Sequence, residues 1–386
     1  MPYSFDPFAL KKSLSFDLFF NPAKEAMQGM PELTSGCNRP LQMNFEDQLK
    51  VLVYFHLEEH TSAQHLLQVL AEDDFAREHI APKDGIKKSS FSEAINNRGL
   101  EQFLYVFSQL QTYAADILPQ SYSELGNLVA IDGSLIDSVL SMTWADYRNG
   151  AKKAKVHMGL DINRSIPRKL FLTDGKADER PFVSLLLSSG ETGVTDRGYQ
   201  CHKRFDQWQE ECLLFACRIK AGTKKTIIKT YAVDPESCVF FDAIVLLGTP
   251  GVNQTQKEIR LVGYEIGRVK YWIATNRFDL TSEQIALIYK LRWEVEKFFA
   301  WWKRHLKVYH LIARSEHGLM VQILAGLITY LLLAIYCHQQ HNEPVSIKRV
   351  RELRIQIQNE LRRNENKIEK QFLKEQCNSY RSYAKT

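Results

Sequence analysis

The chain has 386 residues, 45% hydrophobic and 25% charged, which is typical of a globular protein with two or three domains and a sizeable core. Its net charge of +5 permits an acidic partner without requiring one. The seven cysteines are scattered without a C-x-x-C pair, so the sequence gives no support for a zinc site and favours free thiols in a reducing cytoplasm.

Two segments decide whether the sequence predicts a secretory signal or a membrane-spanning helix. Met1 to Leu14 lacks a positive start followed by an apolar run, so we expect no secretory signal. Gly318 to Cys337 is apolar enough to span a bilayer. We interpret it as a helix buried against the core, because it follows a polar helix directly and no second such segment exists.

The first 122 residues predict a helical domain. Phe45 to Leu57, Ala63 to Leu70 and Phe91 to Ile117 carry apolar residues at three- and four-residue spacing, with a break in the last at Asn96 to Gly99. Small helical domains bind DNA in some proteins and only pack in others, so this part predicts no function.

The pattern changes at Leu128. Short strand-like runs at 127–134, 155–163, 168–175, 193–199 and 212–220 alternate with predicted helices at 179–190 and from Phe205. Four further strand-like runs separated by turn residues fill 226–276, and a long helix begins near Thr281 and Ser282 and continues through Lys303. We therefore predict a mixed α/β sheet with an antiparallel β insertion.

Asp132 and Asp196 each follow an apolar run that predicts a strand. Ligands bind at the rim of α/β sheets, and two carboxylates that approach one another favour a divalent cation such as Mg²⁺. A turn residue or a helix cap is the ordinary role of a single aspartate at such a position, so this pair does not establish a metal site alone.

The helix near residue 290 supplies a third acid. With about 100° per residue, Tyr289, Arg292, Glu296 and Lys303 fall within about 60° of one another, and Glu294 falls on the far side. Apolar residues form the neighbouring stripe. The helix thus packs by one face and presents a polar stripe beside it, although a solvated face with ion pairs is the alternative.

These residues resemble a known family. The spacing of Tyr289, Arg292, Glu296 and Lys303 matches the signature Y-x(2)-R-x(3)-E-x(6)-K of the insertion-sequence-four group of DDE transposases, and "AIDGS" at Asp132 and "TDRGY" at Asp196 are similar to its strands. The order of two aspartates, a β-rich insertion and a glutamate is similar too. The resemblance covers roughly 125–335.

The resemblance implies an RNase H-like core in which Asp132, Asp196 and Glu296 hold two Mg²⁺ ions, with Mn²⁺ able to substitute. It implies that Tyr289, Arg292 and Lys303 contact DNA. Some relatives form a DNA hairpin and stack a flipped base on a tryptophan, a role that falls here to Trp272; a core position in a strand is its equal alternative.

The domain organisation predicted from these observations is a helical domain at 1–122, a first core part at 123–225, the insertion at 226–277, a second core part at 278–340 and a basic helical tail at 341–386. The tail carries 11 Lys and Arg against 6 Glu, which fits DNA contacts, dimer contacts or a solvated face.

The resemblance implies a bacterial transposase that binds the inverted ends of its element, and target DNA, as a homodimer, without a membrane or a small-molecule substrate. A structure-specific nuclease or resolvase, and a non-catalytic DNA-binding protein descended from a transposase, are the alternatives. A small-molecule hydrolase would need a nucleophile motif or a phosphate-binding glycine loop, and the sequence has neither.

Overall fold

The computed structural model describes residues 14–33, 41–138, 142–307 and 310–359. The chain divides into two compact units. The helical unit comprises Met1–Thr112 and His305–Thr386, and the sheet unit comprises Tyr113–Arg304. Residues 347–359 are helical, and the rest of the predicted basic tail lies outside the described residues. The domain boundaries given above stay predictions.

The helical unit begins with α1 (Ser15–Ala26), α2 (Phe45–Leu57), α3 (Ala63–Glu72), a π-helical turn (Ala76–Ile80) and α4 (Lys88–Asn97), after which α5 (Leu100–Ile117) runs into the sheet unit. Asn44 starts α2 with a capping box, in which its side chain accepts from the Asp47 N–H and Asp47 accepts in return. The predicted break at Asn96 to Gly99 separates α4 from α5, as expected from its turn residues.

The apolar segment near residue 327 forms α10 (Glu316–His341), which packs against α1, α2 and α4 within the helical unit. It is long and apolar enough to cross a membrane, but 94% of its most apolar window is buried inside the protein. The prediction of a buried core helix is therefore confirmed. Gln322, one of the buried polar residues of this helix, accepts from the N–H groups of Ile312 and Ala313.

Among the described residues of the sheet unit, nine strands form one mixed sheet in the order β3-β2-β1-β4-β5-β9-β8-β7-β6. In chain order these strands are β1 (Leu128–Asp137), β2 (Lys153–Asp161), β3 (Ile166–Asp174), β4 (Thr192–Thr195), β5 (Leu214–Arg218), β6 (Lys225–Thr230), β7 (Val239–Leu247), β8 (Ile259–Ile266) and β9 (Val269–Thr275). The first three strands pair antiparallel, whereas β4 pairs parallel with β1 and with β5. The predicted mixed α/β fold is confirmed, and the order of β1 to β5 agrees with an RNase H-like core.

The predicted antiparallel insertion is β6 to β9. It continues the core sheet instead of forming a separate layer, because β9 pairs antiparallel with β5. The apolar side chains of β7, β8 and β9 share one core with Phe205 and Trp208 of α7 (His202–Glu210). The insertion is thus joined to the core sheet through the strand pair β5 and β9.

Three predicted elements differ in the structure. The helix expected at 179–190 is reduced to a 3₁₀ turn (Arg180–Phe182) and α6 (Val183–Leu186), because Leu187 is extended and the Glu191 carboxylate binds the next N–H, that of Ser188. The strand expected at 193–199 ends at Thr195, since the Asp196 side chain caps a 3₁₀ turn.

The third difference concerns the long helix expected from Thr281 through Lys303. It consists of α8 (Ser282–Leu291) and α9 (Trp293–His305), which meet at Arg292. At this junction the backbone bonds shorten to three-residue steps, from Arg292 N to Tyr289 O and from Val295 N to Arg292 O. The tightened turn places Arg292 where two helices meet.

Candidate active site

The strand register brings two of the predicted acids level with each other. Ala130 of β1 pairs with Val194 of β4, so Asp132 and Asp196, each two residues further on, occupy matching positions on the same face. The sequence predicted that Asp132 ends its strand, and this was wrong. β1 continues to Asp137 in its pairing with β2, whereas its pairing with β4 stops at Ala130. The two carboxylates lie where the sheet opens between β1 and β4.

Backbone groups orient both carboxylates. Asp132 Oδ1 accepts from the Gly133 N–H at 2.9 Å, and Asp196 Oδ1 accepts from the Gly198 N–H at 2.7 Å. Burial, together with the negative charges of Glu179 and Asp196, raises the pKa of Asp132 to about 6. The site therefore concentrates negative charge in a partly dehydrated position, which is where a cation is most strongly stabilised.

The polar stripe of α8 and α9 faces this edge. Arg292 Nη1 donates to Glu296 Oε1 at 2.7 Å, and the same guanidinium lowers the pKa of Asp132 by its charge. The guanidinium lies 5.6 Å from the Tyr289 ring and 5.4 Å from the Trp293 ring. Arg292 is only 6% exposed and Tyr289 only 2%. Arg292 thus bonds to Glu296 and lies close enough to Asp132 for its charge to lower the pKa of that carboxyl.

The other predicted site residues have protein partners of their own. Lys303 Nζ donates to the Leu135 carbonyl at 2.6 Å, close enough to Asp132 to feel its charge. Glu294 binds Lys297 on the far side of the helix. Trp272 is half-buried in β9, where its ring contacts Phe240 and Phe241, and Lys225 Nζ lies 4.2 Å from its centre.

A fourth carboxylate, Glu179, was not predicted as a site residue. Its Oε1 binds Lys155 Nζ at 2.9 Å, and its charge acts on Asp132. It also accepts from the buried Tyr199 hydroxyl. A Cβ at Gly133 would lie 2.7 Å from Glu179 Oε1, so the glycine of "AIDGS" is what lets this carboxylate lie against β1. No local pattern singles out Glu179, because it lies at the start of a predicted helix.

Arg218 was missed as well, although a signal existed. Thr195 of β4 pairs with Cys217 of β5, which makes Arg218 level with Asp196 at the last position of the next strand. Its guanidinium lies 4.7 Å from the Tyr271 ring and bonds to the Tyr289 hydroxyl, whose pKa it lowers against the effect of burial. The rule that singled out Asp132 and Asp196, a polar residue ending an apolar strand, applies equally to Arg218.

The donor chemistry of this edge fits a hard divalent cation. Asp132 and Asp196 each present a carboxylate of which one oxygen is held by a backbone N–H, and carboxylate oxygens are what Mg²⁺ and Mn²⁺ prefer. Within the described ranges, however, no three His, Cys, Asp or Glu side chains are grouped closely enough to share one ion. Glu296 is instead held by Arg292.

Comparison with known proteins identifies the family. A model described as "Transposase DDE domain" matches residues 124–332, more than half of the chain. Similar curated proteins are a probable transposase for insertion sequence element IS5377 of Geobacillus stearothermophilus (29% identical over 196 residues, 50% of this chain and 52% of that protein) and the putative transposase y4zB of Sinorhizobium fredii (26% over 201 residues, 50% and 56%). A putative transposase for insertion sequence element IS4SA of Synechocystis is 24% identical over 260 residues, 64% of this chain and 71% of that protein.

The chain spans about half the length of the first two of these relatives. Among solved structures, a piggyBac transposase synaptic complex with hairpin DNA aligns over 91% of this chain and 80% of that one, with a TM-score of 0.43 and 14% identity. The matched region of the family model contains the strands, the insertion and the helices that carry Asp132, Asp196 and Glu296. The chain belongs to the transposase DDE domain family.

Proposed function

We propose that this chain is a DNA transposase, which cuts and joins DNA strands at the edge of the sheet between β1 and β4. The observation that carries the proposal is the level register of Asp132 and Asp196, together with Arg292, which bonds to Glu296 and whose charge acts on Asp132. Family membership implies a divalent metal cofactor in general, and we propose Mg²⁺, for which Mn²⁺ substitutes.

Asp132, Asp196 and Glu296 would hold the metal ions. When bound, the ions supply the activation of the attacking oxygen and the stabilisation of the departing oxygen in an in-line phosphoryl displacement. The Gly133 and Gly198 N–H groups each hold one oxygen of an aspartate and leave the other oxygen available for a cation. Glu296 would join them only by giving up its bond to Arg292.

Arginines on two elements would then grip the phosphate. Arg292 of the α8–α9 junction and Arg218 of β5 both bond to the Tyr289 hydroxyl, so the tyrosine holds two guanidinium groups at one place beside Asp196. A guanidinium can bind a phosphate through two parallel N–H groups, which fixes its orientation as well as its charge. We propose that Arg218, Tyr289 and Arg292 position the scissile phosphate, with Lys303 contacting the DNA from α9.

The finer features of the reaction are proposed from the resemblance of these residues to the family signature. We propose membership of the insertion-sequence-four group, with Tyr289, Arg292, Glu296 and Lys303 as its signature, and cut-and-paste movement between inverted ends and target DNA by a bacterial homodimer. A hairpin step would use Trp272. The faces of that ring are shared with Lys225, Phe240 and Phe241, so base stacking would require Lys225 to move.

The test is cleavage of DNA that carries the inverted repeats flanking the coding sequence, with Mg²⁺ or Mn²⁺. Asp132→Asn, Asp196→Asn and Glu296→Gln should each bind the DNA and fail to cut it. Glu294→Gln is the matched control, because Glu294 is on the same helix and pairs with Lys297 away from the site; it should keep most of the activity. Cutting by any of the three acid variants at the wild-type rate would refute the proposal.

A further inference from the structure

The β insertion places the aromatic side chain of Tyr271 on the same face of the sheet as the two aspartates. Arg218 of β5 is level with Asp196 of β4, and Arg218 also pairs with Ile273 of β9. Paired residues of neighbouring strands point to one face, and so do residues two apart along a strand. Tyr271, two residues before Ile273, is therefore on the face of Asp196 and Arg218.

Trp272, the next residue of β9, points to the opposite face. Its ring packs there against the apolar cluster that contains Cys217 and Ala274, which are the pair next to Arg218 and Ile273 in the β5–β9 register. Of these two adjacent aromatic residues, Tyr271 is the one that can contact a group on the face of Asp196.

The ring of Tyr271 is held by neighbours from two elements. It stacks on the Tyr264 ring of β8, with ring centres 5.1 Å apart and 11° between the ring planes, and the centre of the Tyr289 ring of α8 is 6.1 Å away. Tyr264 and Tyr289 are buried, whereas Tyr271 is half-buried. Two buried rings thus support a third ring that reaches the surface.

Arg218 is held at this surface without an acid. Arg292 is bound to Glu296, whereas Arg218 forms no ion pair with a carboxylate in the part of the chain that the structure describes. Its guanidinium lies 4.7 Å from the centre of the Tyr271 ring and bonds to the Tyr289 hydroxyl. Contact with the face of a ring attracts the cation without supplying a carboxylate acceptor, so N–H groups of Arg218 stay available for a phosphate.

We propose that Tyr271 is a positioning residue, which holds the Arg218 guanidinium over its ring so that its N–H groups meet a phosphate bound beside Asp196. The proposal rests on the proposed function, in which Arg218 binds the scissile phosphate, and explains how Arg218 is oriented. An arginine that is already held loses less rotational freedom when it binds, which favours binding. The insertion thereby contributes to the site, although the three predicted acids lie outside it.

Single-turnover cleavage of DNA that the wild-type chain cuts tests this role. Tyr271→Leu should lower the cleavage rate about tenfold, whereas Tyr271→Phe, which keeps the ring, should cut at nearly the wild-type rate. Tyr231→Leu is the matched control, because Tyr231 also contacts an arginine, Arg260, but follows β6, which is four strands or about 19 Å from β5. It should cut at the wild-type rate.

A double-mutant cycle separates positioning from a general loss of stability. Arg218→Gln should lower the cleavage rate by itself, and adding Tyr271→Leu should then cost no further rate, because the guanidinium that Tyr271 positions is gone. Additive effects of the two changes would overturn the proposal. Replacing Tyr271 by 4-cyanophenylalanine keeps a ring but weakens its attraction for a cation, so the rate should fall below that of Tyr271→Phe; an equal rate would also overturn it.

The position of the guanidinium can be measured without cleavage, from the NMR signals of the arginine Nε–H groups. The Arg218 signal is identified as the one that Arg218→Gln lacks, and Tyr271→Leu should shift it by removing the ring, whereas Tyr231→Leu should not. If the wild-type chain cuts the DNA but Tyr271→Leu cuts equally fast or leaves this signal unchanged, the positioning role is refuted and the transposase proposal stands. If the wild-type chain neither binds nor cuts such DNA, both proposals fail together.

Discussion

The buried histidine of α2 makes the helical unit sensitive to acid. His56 is fully buried, with Nδ1 2.6 Å from the Leu306 carbonyl and Nε2 3.2 Å from the Gln322 carbonyl. Burial lowers its pKa to about 4, although both carbonyls favour the charged ring. Because the unfolded chain binds a proton near pH 6.5 and the folded chain does not, stability is present above pH 6.5 and is lost as the pH falls toward 4.

The size of this effect follows from the two pKa values. Between pH 7 and pH 5 the free energy of unfolding should fall by about 2 kcal/mol through His56 alone. His56→Gln should lack this loss, because glutamine stays neutral over the whole range. The measurement is urea unfolding at both pH values, followed by circular dichroism at 222 nm, since all six tryptophans lie in the sheet unit and do not report on this one.

His338→Gln is the control for removing an imidazole from the same unit. The comparison is the loss of stability from pH 7 to pH 5 in each protein. An equal loss in wild type and His56→Gln would mean that His56 takes up its proton in the folded state, with the two carbonyls outweighing burial. The reasoning above would then be wrong in sign.

Three further predictions concern the sheet unit. Arg260→Met should cost about 3 to 5 kcal/mol in urea unfolding, because it leaves the Asp242 carboxylate buried without the guanidinium that binds it at 2.8 and 3.0 Å; Arg260→Met with Asp242→Leu should recover most of this, and a wild-type stability of the single variant would contradict the pairing. Glu179→Gln should lower the pKa of Asp132, measured by carboxyl NMR, since the charge of Glu179 helps to raise it. Trp272→Leu should lower the melting temperature through about 1 to 3 kcal/mol of lost ring contacts; an unchanged melting temperature would mean that Trp272 does not stabilise β9.

The spacing of apolar residues predicted which helices and strands form, but it predicted where they end less well. The apolar spacing at Phe45 to Leu57 gave α2 with its bounds, because a capping box starts the helix and an amphipathic face continues it. The predicted helix at 179–190 was wrong beyond Leu186, since a side-chain contact of Glu191 decides the conformation there. Such a side-chain contact depends on the folded position of the residue. The spacing of residues in one sequence does not predict that position.

In the candidate site too, local patterns predicted some residues, whereas others are brought there only by the fold. The helical repeat placed Tyr289, Arg292 and Glu296 on one stripe, and in the structure they contact one another in spite of the break at Arg292. Strand ends predicted that Asp132 and Asp196 would approach, because in-register parallel strands bring matching positions together. Glu179 reaches the site across a glycine on another strand, and a contact between such distant positions has no local pattern in the sequence.

The charges at this edge explain why a cation and a DNA phosphate should bind together. Asp132 is buried beside the negative charges of Glu179 and Asp196, so a phosphate approaching from β4 meets repulsion in a partly dehydrated place, where charges interact strongly. Arg292 reduces that repulsion, but its guanidinium is already bound to Glu296. Asp132, Asp196 and Glu296 would hold the proposed divalent ion, whose charge would offset theirs, and Glu296 could do so only by giving up its bond to Arg292. The freed guanidinium could then bind the phosphate. On the proposed function, the ion pair between Arg292 and Glu296 would couple metal binding to phosphate binding, because each partner can bind its own ligand only when the pair opens.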